Sequence, residues 1–479
     1  MKKAELVFIP SPGAGHTVSA AEFANRLIAR DARISVTILT MSSPFTTAAS
    51  STSTYPNPEP SVDVPRYISL PQVQLPPIKI LQDSIEEYIS TFAASHSHFV
   101  RNELISLQKS PEIPVYLVVD MFCTAFIDVA NELGIPSYVF FTSGSAFLGL
   151  RLNLPDLYER TGIAKFIESE PEFEIPSFRN PVPASGFPGF AFNKSGYTSF
   201  MNHARKFQET KGIMVNTFAE LEPYAIKSLT EISPNKVPVV YTIGPVLNLK
   251  GAAHKPCDQD IRARIMNWLD IQPESSVVYL CFGSVGSFEE EQVKEIAKGL
   301  NQSGQRFLWS LRKRITEGAI RPTDYTDEEL KSVLPDDFRT FVAEGRGMVC
   351  GWAPQVEILA HKAIGSFVTH CGWNSTLESV WFGKPIVAWP LYAEQRVNAF
   401  ELVKELGLAA AWLGYGTKPG DVVTANEVES AVRSVMDKDN PVRSKVKEIS
   451  EVSRLTLLDG GSSFNSIGSF IKNIIPEEL

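Results

Sequence analysis

The stretch "GSFVTHCGWNSTLES", residues 365–379, sets an apolar run, Phe367 and Val368, directly against His370, Cys371, Gly372, Trp373, Asn374 and Ser375. A short apolar run that ends this way reads as a buried strand, and "NSTLES" reads as the start of a helix. In open α/β sheets, ligands sit at the carboxyl ends of the strands, where N–H groups at the next helix start attract anions. Gly372 lets the chain approach a ligand closely, and Asn374 and Ser375 suit phosphate oxygens. The cluster therefore predicts a diphosphate cradle. A reading without a ligand also exists, in which "STLE" is a capping box with Ser375 as the cap and Glu378 reaching back. It leaves His370, Trp373 and Asn374 on the same turn unexplained.

The same strand, loop and helix alternation extends in both directions. "SVVYLCFGS", "RFLWSLR", "GMVCGWAP" and "PIVAWP" supply further strands around the opening stretch. Towards the N-terminus, "AELVFIP", "ISVTILT", "VYLVVD" and "PSYVFFT" alternate with helical patterns such as "TVSAAEFANRLIARD" and "CTAFIDVANELG". This is the pattern of doubly wound α/β units with parallel sheets. At 479 residues the chain exceeds the size of one hydrophobic core, which implies two domains. "YTIGPVLNLKGAAHKPCDQD" breaks every periodicity between them. The expected division is 1–245, a linker at 246–262, 263–455, and a helical segment at 456–479 that packs back on the first domain. The Ser/Thr/Pro-rich 42–65 reads as a loop, and 313–335 as a polar insertion, partly helical at best.

Composition narrows the function. Hydrophobic residues make up 44% and charged residues 21%, which fits a chain that folds throughout. A net charge of -9 without a basic run excludes the electrostatic footprint of nucleic-acid binding. No stretch reaches the roughly 18 apolar residues of a membrane span, and the apolar run after Lys2 and Lys3 is too short for a secretion signal. Five cysteines without paired spacing (Cys123, Cys257, Cys281, Cys350, Cys371) fit a reducing, cytoplasmic compartment. A small-molecule ligand is the remaining class.

His16 closes the loop "SPGAGH" at a strand-to-helix switch, where the helix dipole disfavours a protonated ring and keeps it available as a base. Asp120 ends the strand "VYLVVD" and could orient the ring and stabilise its charged form. A structural histidine and a helix cap are the bland alternatives.

From Trp352 to Gln395 the chain carries W-x-P-Q, H-C-G-W-N-S-x-x-E and E-Q in order. This resembles the signature box of plant secondary-product (family 1) UDP-glycosyltransferases, and "FIPSPGAGH", "TIGP" and "CFGS" follow the same family. The resemblance implies a GT-B fold of two Rossmann-like doubly wound domains facing across a cleft. It implies that Trp352 stacks on uracil, that Ala353 and Gln355 contact base and ribose, and that Glu378 accepts from ribose hydroxyls. His370, Asn374 and Ser375, joined by Ser284, then hold the diphosphate, Trp373 belongs to the same donor site, and Glu394 and Gln395 hydrogen-bond the sugar. Gln395, offering both an acceptor and a donor, points in this family to UDP-glucose. His16 and Asp120 match the family's general base and its orienter, and the product is a β-glucoside formed by inversion.

Phe122, Phe141 and Phe147, with the "GFPGFAF" loop at 186–192, are expected to wall the acceptor pocket against a flat phenolic such as a flavonoid, terpenoids being an alternative. No metal is expected, and "DQD" (258–260) and "DKD" (437–439) read as solvated charges, the first within the linker. No cofactor other than the co-substrate UDP-glucose, and a monomer, complete the expectations. A dinucleotide oxidoreductase fails because Val18 stands where a third glycine is needed. An α/β hydrolase fails for want of G-x-S-x-G. A nucleotide-sugar-binding protein without turnover is the alternative that keeps the same residues.

Overall fold

Strands buried on both faces need near-continuous apolar sequence, and the first sheet is built from such runs. In a computed structural model, which describes residues 4–44, 64–109, 112–161, 172–231, 237–249, 258–314, 322–416 and 421–475, the chain forms two compact units. The first comprises Met1–Ala184, Gly189–Asn248 and Leu455–Leu479, and the second Ser185–Pro188 and Leu249–Arg454.

In the first unit the strands are β1 (Ala4–Ile9), β2 (Ile34–Thr40), β3 (Arg66–Ser69), β4 (Val115–Asp120), β5 (Ser137–Phe141), β6 (Gly212–Val215) and β7 (Val239–Thr242). They pair in parallel in the order β3-β2-β1-β4-β5-β6-β7. The helices that matter below are α1 (Ala14–Arg30), α2 (Ile85–Ala94), α3 (Ala125–Glu132), α4 (Ser145–Thr161) and α5 (Lys194–Phe207). Leu6, Phe8, Phe23, Leu27, Ile38 and Phe140 form one core layer.

The second unit repeats the plan with β8 (Val277–Cys281), β9 (Arg306–Ser310), β10 (Gly347–Cys350), β11 (Ile364–Thr369), β12 (Ile386–Ala388) and β13 (Ala409–Trp412), in the order β10-β9-β8-β11-β12-β13. Helices α6 (Gln355–Ala360), α7 (Trp373–Trp381) and α8 (Gln395–Phe400) follow its strands. The last helix, α9 (Ser462–Ile474), returns to the first unit, where Ile467, Phe470, Ile471 and Ile474 complete its core layer.

Each sheet starts in the middle and reverses direction once. The first does so between β1 and β4, with Ile9 opposite Val119, and the second between β8 and β11, with Cys281 opposite Thr369. Such a reversal leaves the loops after the two central strands diverging to opposite faces, which opens a crevice at their carboxyl ends.

One expectation needs correction. The presumed linker does not run to 262, because Asp258 accepts from the Asp260 N–H and starts a helix at Gln259–Asp270, so "DQD" is a helix cap. The insertion is partly helical, as its sequence suggests. Arg312–Lys313 pairs with Thr323–Asp324, and a complete capping box of Thr326 and Glu329 starts the helix Asp327–Val333. Most of the 42–65 loop, Cys257 and residues 315–321 lie outside the described residues.

Candidate active site

At the first reversal point, Gly13 is the N-cap of α1, and His16 falls in the helix's first turn. Its Nδ1 lies 2.7 Å from Oδ2 of Asp120, the last residue of β4. The other carboxylate oxygen accepts from Ser11 Oγ at 2.5 Å and from the Phe122 N–H at 3.1 Å. Asp120 is therefore buried yet fully engaged, while the His16 side chain keeps 27% of its surface exposed. Thr142, just beyond β5, places Oγ1 3.1 Å from the same Nδ1. This constellation can hold one tautomer of an imidazole and stabilise its charged form, the arrangement of a general base and its orienter. Ser11 and Thr142 were not singled out from sequence. Both sit at strand carboxyl ends, so the rule that found His16 could have found them.

The second reversal point carries the glycine-flanked His370. An added Cβ on Gly283 or on Gly372 would come within 2.6 and 2.7 Å of His370 Nε2, so both positions must be glycine for the ring to sit there. Burial pushes the His370 pKa down to about 4, which keeps the ring neutral near pH 7. Gly372 is the N-cap of α7 and no side chain caps it. The capping-box reading of Ser375 thus fails: Ser375 lies inside α7, and its Oγ accepts from Gln355 Nε2 at 2.9 Å. The same Nε2 donates to Glu378 Oε2 at 2.6 Å. Gln355, Ser375 and Glu378 are thereby joined into one network between α6 and α7. Burial raises the Glu378 carboxyl to about 7, against the lowering effect of that hydrogen bond.

The turn that presents this helix end is strained. Cys371 has φ 64°, a left-handed value at a non-glycine residue, and its carbonyl accepts from the buried Asn398 of α8 at 2.9 Å. Ala393, just before α8, is a second such position with φ 52°. Strained backbone of this kind marks places where surrounding structure enforces a geometry. Gln395 is buried at the first position of α8. Its amide oxygen accepts from the N–H groups of Leu391 and Tyr392, both at 2.9 Å. Its acceptor capacity is therefore used internally, and only its amide N–H groups can address a ligand, a correction to the expectation that it offers both. The adjacent Glu394 is the N-cap of α8.

Trp352 is half-buried, with its backbone N–H donating to Asp324 Oδ1 at 3.2 Å and the Arg312 guanidinium 5.5 Å from its ring centre. Ala353 packs beside the second unit's core, and Ser284 is exposed just beyond Gly283. The Trp373 indole is 2% exposed and serves packing, not an open surface.

Among the aromatic residues expected to wall the acceptor pocket, Phe122 is half-buried with its ring 5.9 Å from that of His16. Phe141 and Phe147 are buried within an aromatic cluster around Arg151, which lies 5.6 and 6.0 Å from their ring centres. They act as core because five phenylalanine rings close around that guanidinium. In the 186–192 loop, Phe187 is buried and Phe190 stacks on Phe200 at 3.5 Å.

Among the described residues no group of three His, Cys, Asp or Glu could hold a metal ion, and no helix is long and apolar enough to cross a membrane.

Residues 195–455 match the family model of UDP-glucoronosyl and UDP-glucosyl transferase. The chain is 48% identical to UDP-glycosyltransferase 71K1 of Malus domestica, over 99% of each chain. It is 46% identical to UDP-glucose flavonoid 3-O-glucosyltransferase 6 of Fragaria ananassa, again over 99% of each. Among solved structures, that of Medicago truncatula UGT71G1 complexed with UDP-glucose superposes with a TM-score of 0.87 at 43% identity, covering 98% of both chains.

Proposed function

Because this chain belongs to the UDP-glucosyl and UDP-glucuronosyl transferase family and is a UDP-glycosyltransferase, we propose that it moves glucose from UDP-glucose to a hydroxyl of a small phenolic, a flavonoid above all, with inversion to a β-glucoside. Its two doubly wound units are the Rossmann-like domains of a GT-B fold. The observation that carries the reading is the 2.7 Å pair between His16 and Asp120 at a topological switch point.

With its Nδ1 proton directed to Asp120, the His16 ring has Nε2 as its basic nitrogen. Nε2 takes the proton of the acceptor hydroxyl, the oxygen bonds the anomeric carbon, and the carbon–oxygen bond to UDP breaks with its electron pair on UDP. One displacement inverts the anomeric centre. In the second unit, Trp352 offers a face for uracil, and Glu378 and Gln355 offer acceptor and amide groups to ribose. Ser284, neutral His370 and the uncapped start of α7 face the diphosphate and stabilise charge on the leaving group. Gln395 donates to a sugar hydroxyl and Glu394 accepts from its neighbour, a division of labour that follows from the occupied Gln395 oxygen. These groups supply the charge compensation that a metal would otherwise provide.

The test is incubation of the purified protein with UDP-glucose and a flavonol, with the product's anomeric configuration read by NMR. A β-glucoside with release of UDP is expected, undiminished by EDTA. An α-glucoside, or UDP release that does not depend on acceptor, would refute the scheme.

A further inference from the structure

The first unit holds a groove of about 700 Å³ that the reaction above does not use. It lies between α2, α5 and the start of α3, and Phe122 forms part of its wall. Its floor is a hydrogen-bonded chain whose proton directions can be assigned. Ser90 Oγ donates to the Glu86 carbonyl at 2.8 Å, so it accepts from His203 Nε2, also at 2.8 Å. Thr124 Oγ1 then donates to His203 Nδ1 at 2.7 Å. Burial holds this histidine neutral, and the chain keeps these directions throughout the neutral pH range.

Around this floor stand polar groups that are not engaged. The Glu87 carboxylate, the Asn202 amide and the Thr91 and Ser195 hydroxyls line the groove and make no hydrogen bond to another described residue. A carboxylate, an amide and hydroxyls that line one groove together with an aromatic side chain suit a pyranose, which presents vicinal hydroxyls and an apolar C–H face. A bare flat aglycone would cover the same groups without satisfying them, which disfavours it there. The charged residues at the rim include both Lys206 and its ion-pair partner Asp128, which favours a neutral ligand over a strongly charged one.

His16 does not line the groove, although its ring lies 5.9 Å from that of Phe122, which does. A sugar seated in the groove would not touch the base, and Phe122, which neighbours both, marks the side on which an aglycone joined to it would lie. We propose that the groove seats the sugar of an acceptor that already carries one. The enzyme then converts a phenolic monoglucoside into a bis-glucoside whose two sugars are attached to separate oxygens of the aglycone. The chemistry is that of the first transfer: the aglycone hydroxyl gives its proton to His16, its oxygen bonds the anomeric carbon of the donor glucose, and UDP leaves with the electron pair. This rests on the glucosyltransferase reading, and a parallel assay on the aglycone tests that reading separately.

The experiment compares a flavonol with its monoglucoside as acceptors for UDP-glucose, in the wild type and in the double variant Glu87→Leu/Asn202→Leu, with linkages assigned by NMR. The wild type is expected to use both acceptors and to give separately linked sugars from the glucoside. The double variant should lose about tenfold or more in kcat/KM for the glucoside and stay within about twofold for the flavonol. Flavonol turnover without glucoside turnover overturns the inference alone, and no turnover of either acceptor overturns the reading beneath it. A disaccharide product overturns the assignment of the groove as the seat of the first sugar. If the double variant impairs both acceptors, Thr91→Val and Ser195→Ala decide, and absence of a selective loss of glucoside turnover in both rejects the groove.

Discussion

The two carboxylates of the candidate site do different work because their surroundings differ. Asp120 is engaged by Ser11, the Phe122 N–H and His16, whereas Glu378 is raised to about 7 by burial with Gln355 as its donor. His16→Ala should lower turnover by about 100- to 10,000-fold while UDP still binds, as measured by initial rates and by a UDP titration of tryptophan emission. Asp120→Asn should impair turnover as well, since an amide can hold the ring but cannot stabilise its charge.

Glu378 makes a pH-dependent prediction. Its folded pKa lies above its ordinary value of 4.5, so between pH 4.5 and about 7 the native state binds more protons than the unfolded state. The stability contribution of this group therefore falls as pH rises through that window. Above it the penalty is about 1–3 kcal/mol, given that the side chain is only partly buried. Glu378→Gln should raise the melting temperature at pH 8 but not at pH 4.5, while increasing the KM for UDP-glucose at pH 8. Thermal melts at the two pH values, with donor kinetics, check both signs.

At the scale of elements, the strands were legible wherever sequence was apolar and bounded. "VYLVVD", "ISVTILT" and "AELVFI" coincide with β4, β2 and β1, and the strand to helix alternation is enough to predict parallel sheets. His16 and Asp120 were legible because they stand where such strands end. Side-chain partners were not legible in this way. That Gln355 bridges Ser375 and Glu378, or that Gln395 spends its oxygen on Leu391 and Tyr392, depends on the approach of two elements, which local pattern does not encode. The helix Asp327–Val333 was legible only as part of a partly helical insertion: its T-x-x-E capping box stands in the sequence, but the surrounding polarity hides its bounds.

The clearest case of hidden positioning is Asn398, fully buried on α8, which donates to the carbonyl of the strained Cys371 on the turn before α7. Removing that donor leaves the Cys371 carbonyl without its partner and lets the turn relax away from the left-handed region. Asn398→Ala should raise the donor KM by about tenfold with a smaller change in kcat, because the proposed scheme sets the α7 N-terminus against the donor's diphosphate and not against the acceptor. Steady-state kinetics with varied UDP-glucose decide it, and an unchanged donor KM would mean that the turn holds its shape unaided.

At the scale of the whole molecule, the chain leaves its first unit after Asn248 and returns to it at Leu455, so the last helix is structurally part of the first unit's core. Phe470 of α9 is fully buried and meets Tyr138 and Tyr241 edge to face, with ring centres 5.1 and 5.6 Å away. Its truncation should cost the first unit about 3–5 kcal/mol through lost contacts and the cavity left behind. The sequence also provides a spectroscopic separation of the two units. All seven tryptophans, from Trp268 to Trp412, fall within the second unit, so their emission reports its unfolding alone. Far-UV circular dichroism reports both. In Phe470→Ala, the dichroism should therefore acquire an earlier transition while the tryptophan midpoint remains that of the wild type. Denaturant titrations read by both probes make the comparison. Equal shifts in both would show that the units unfold as a single cooperative block, in which case damage to the C-terminal helix would be transmitted to the second unit as well.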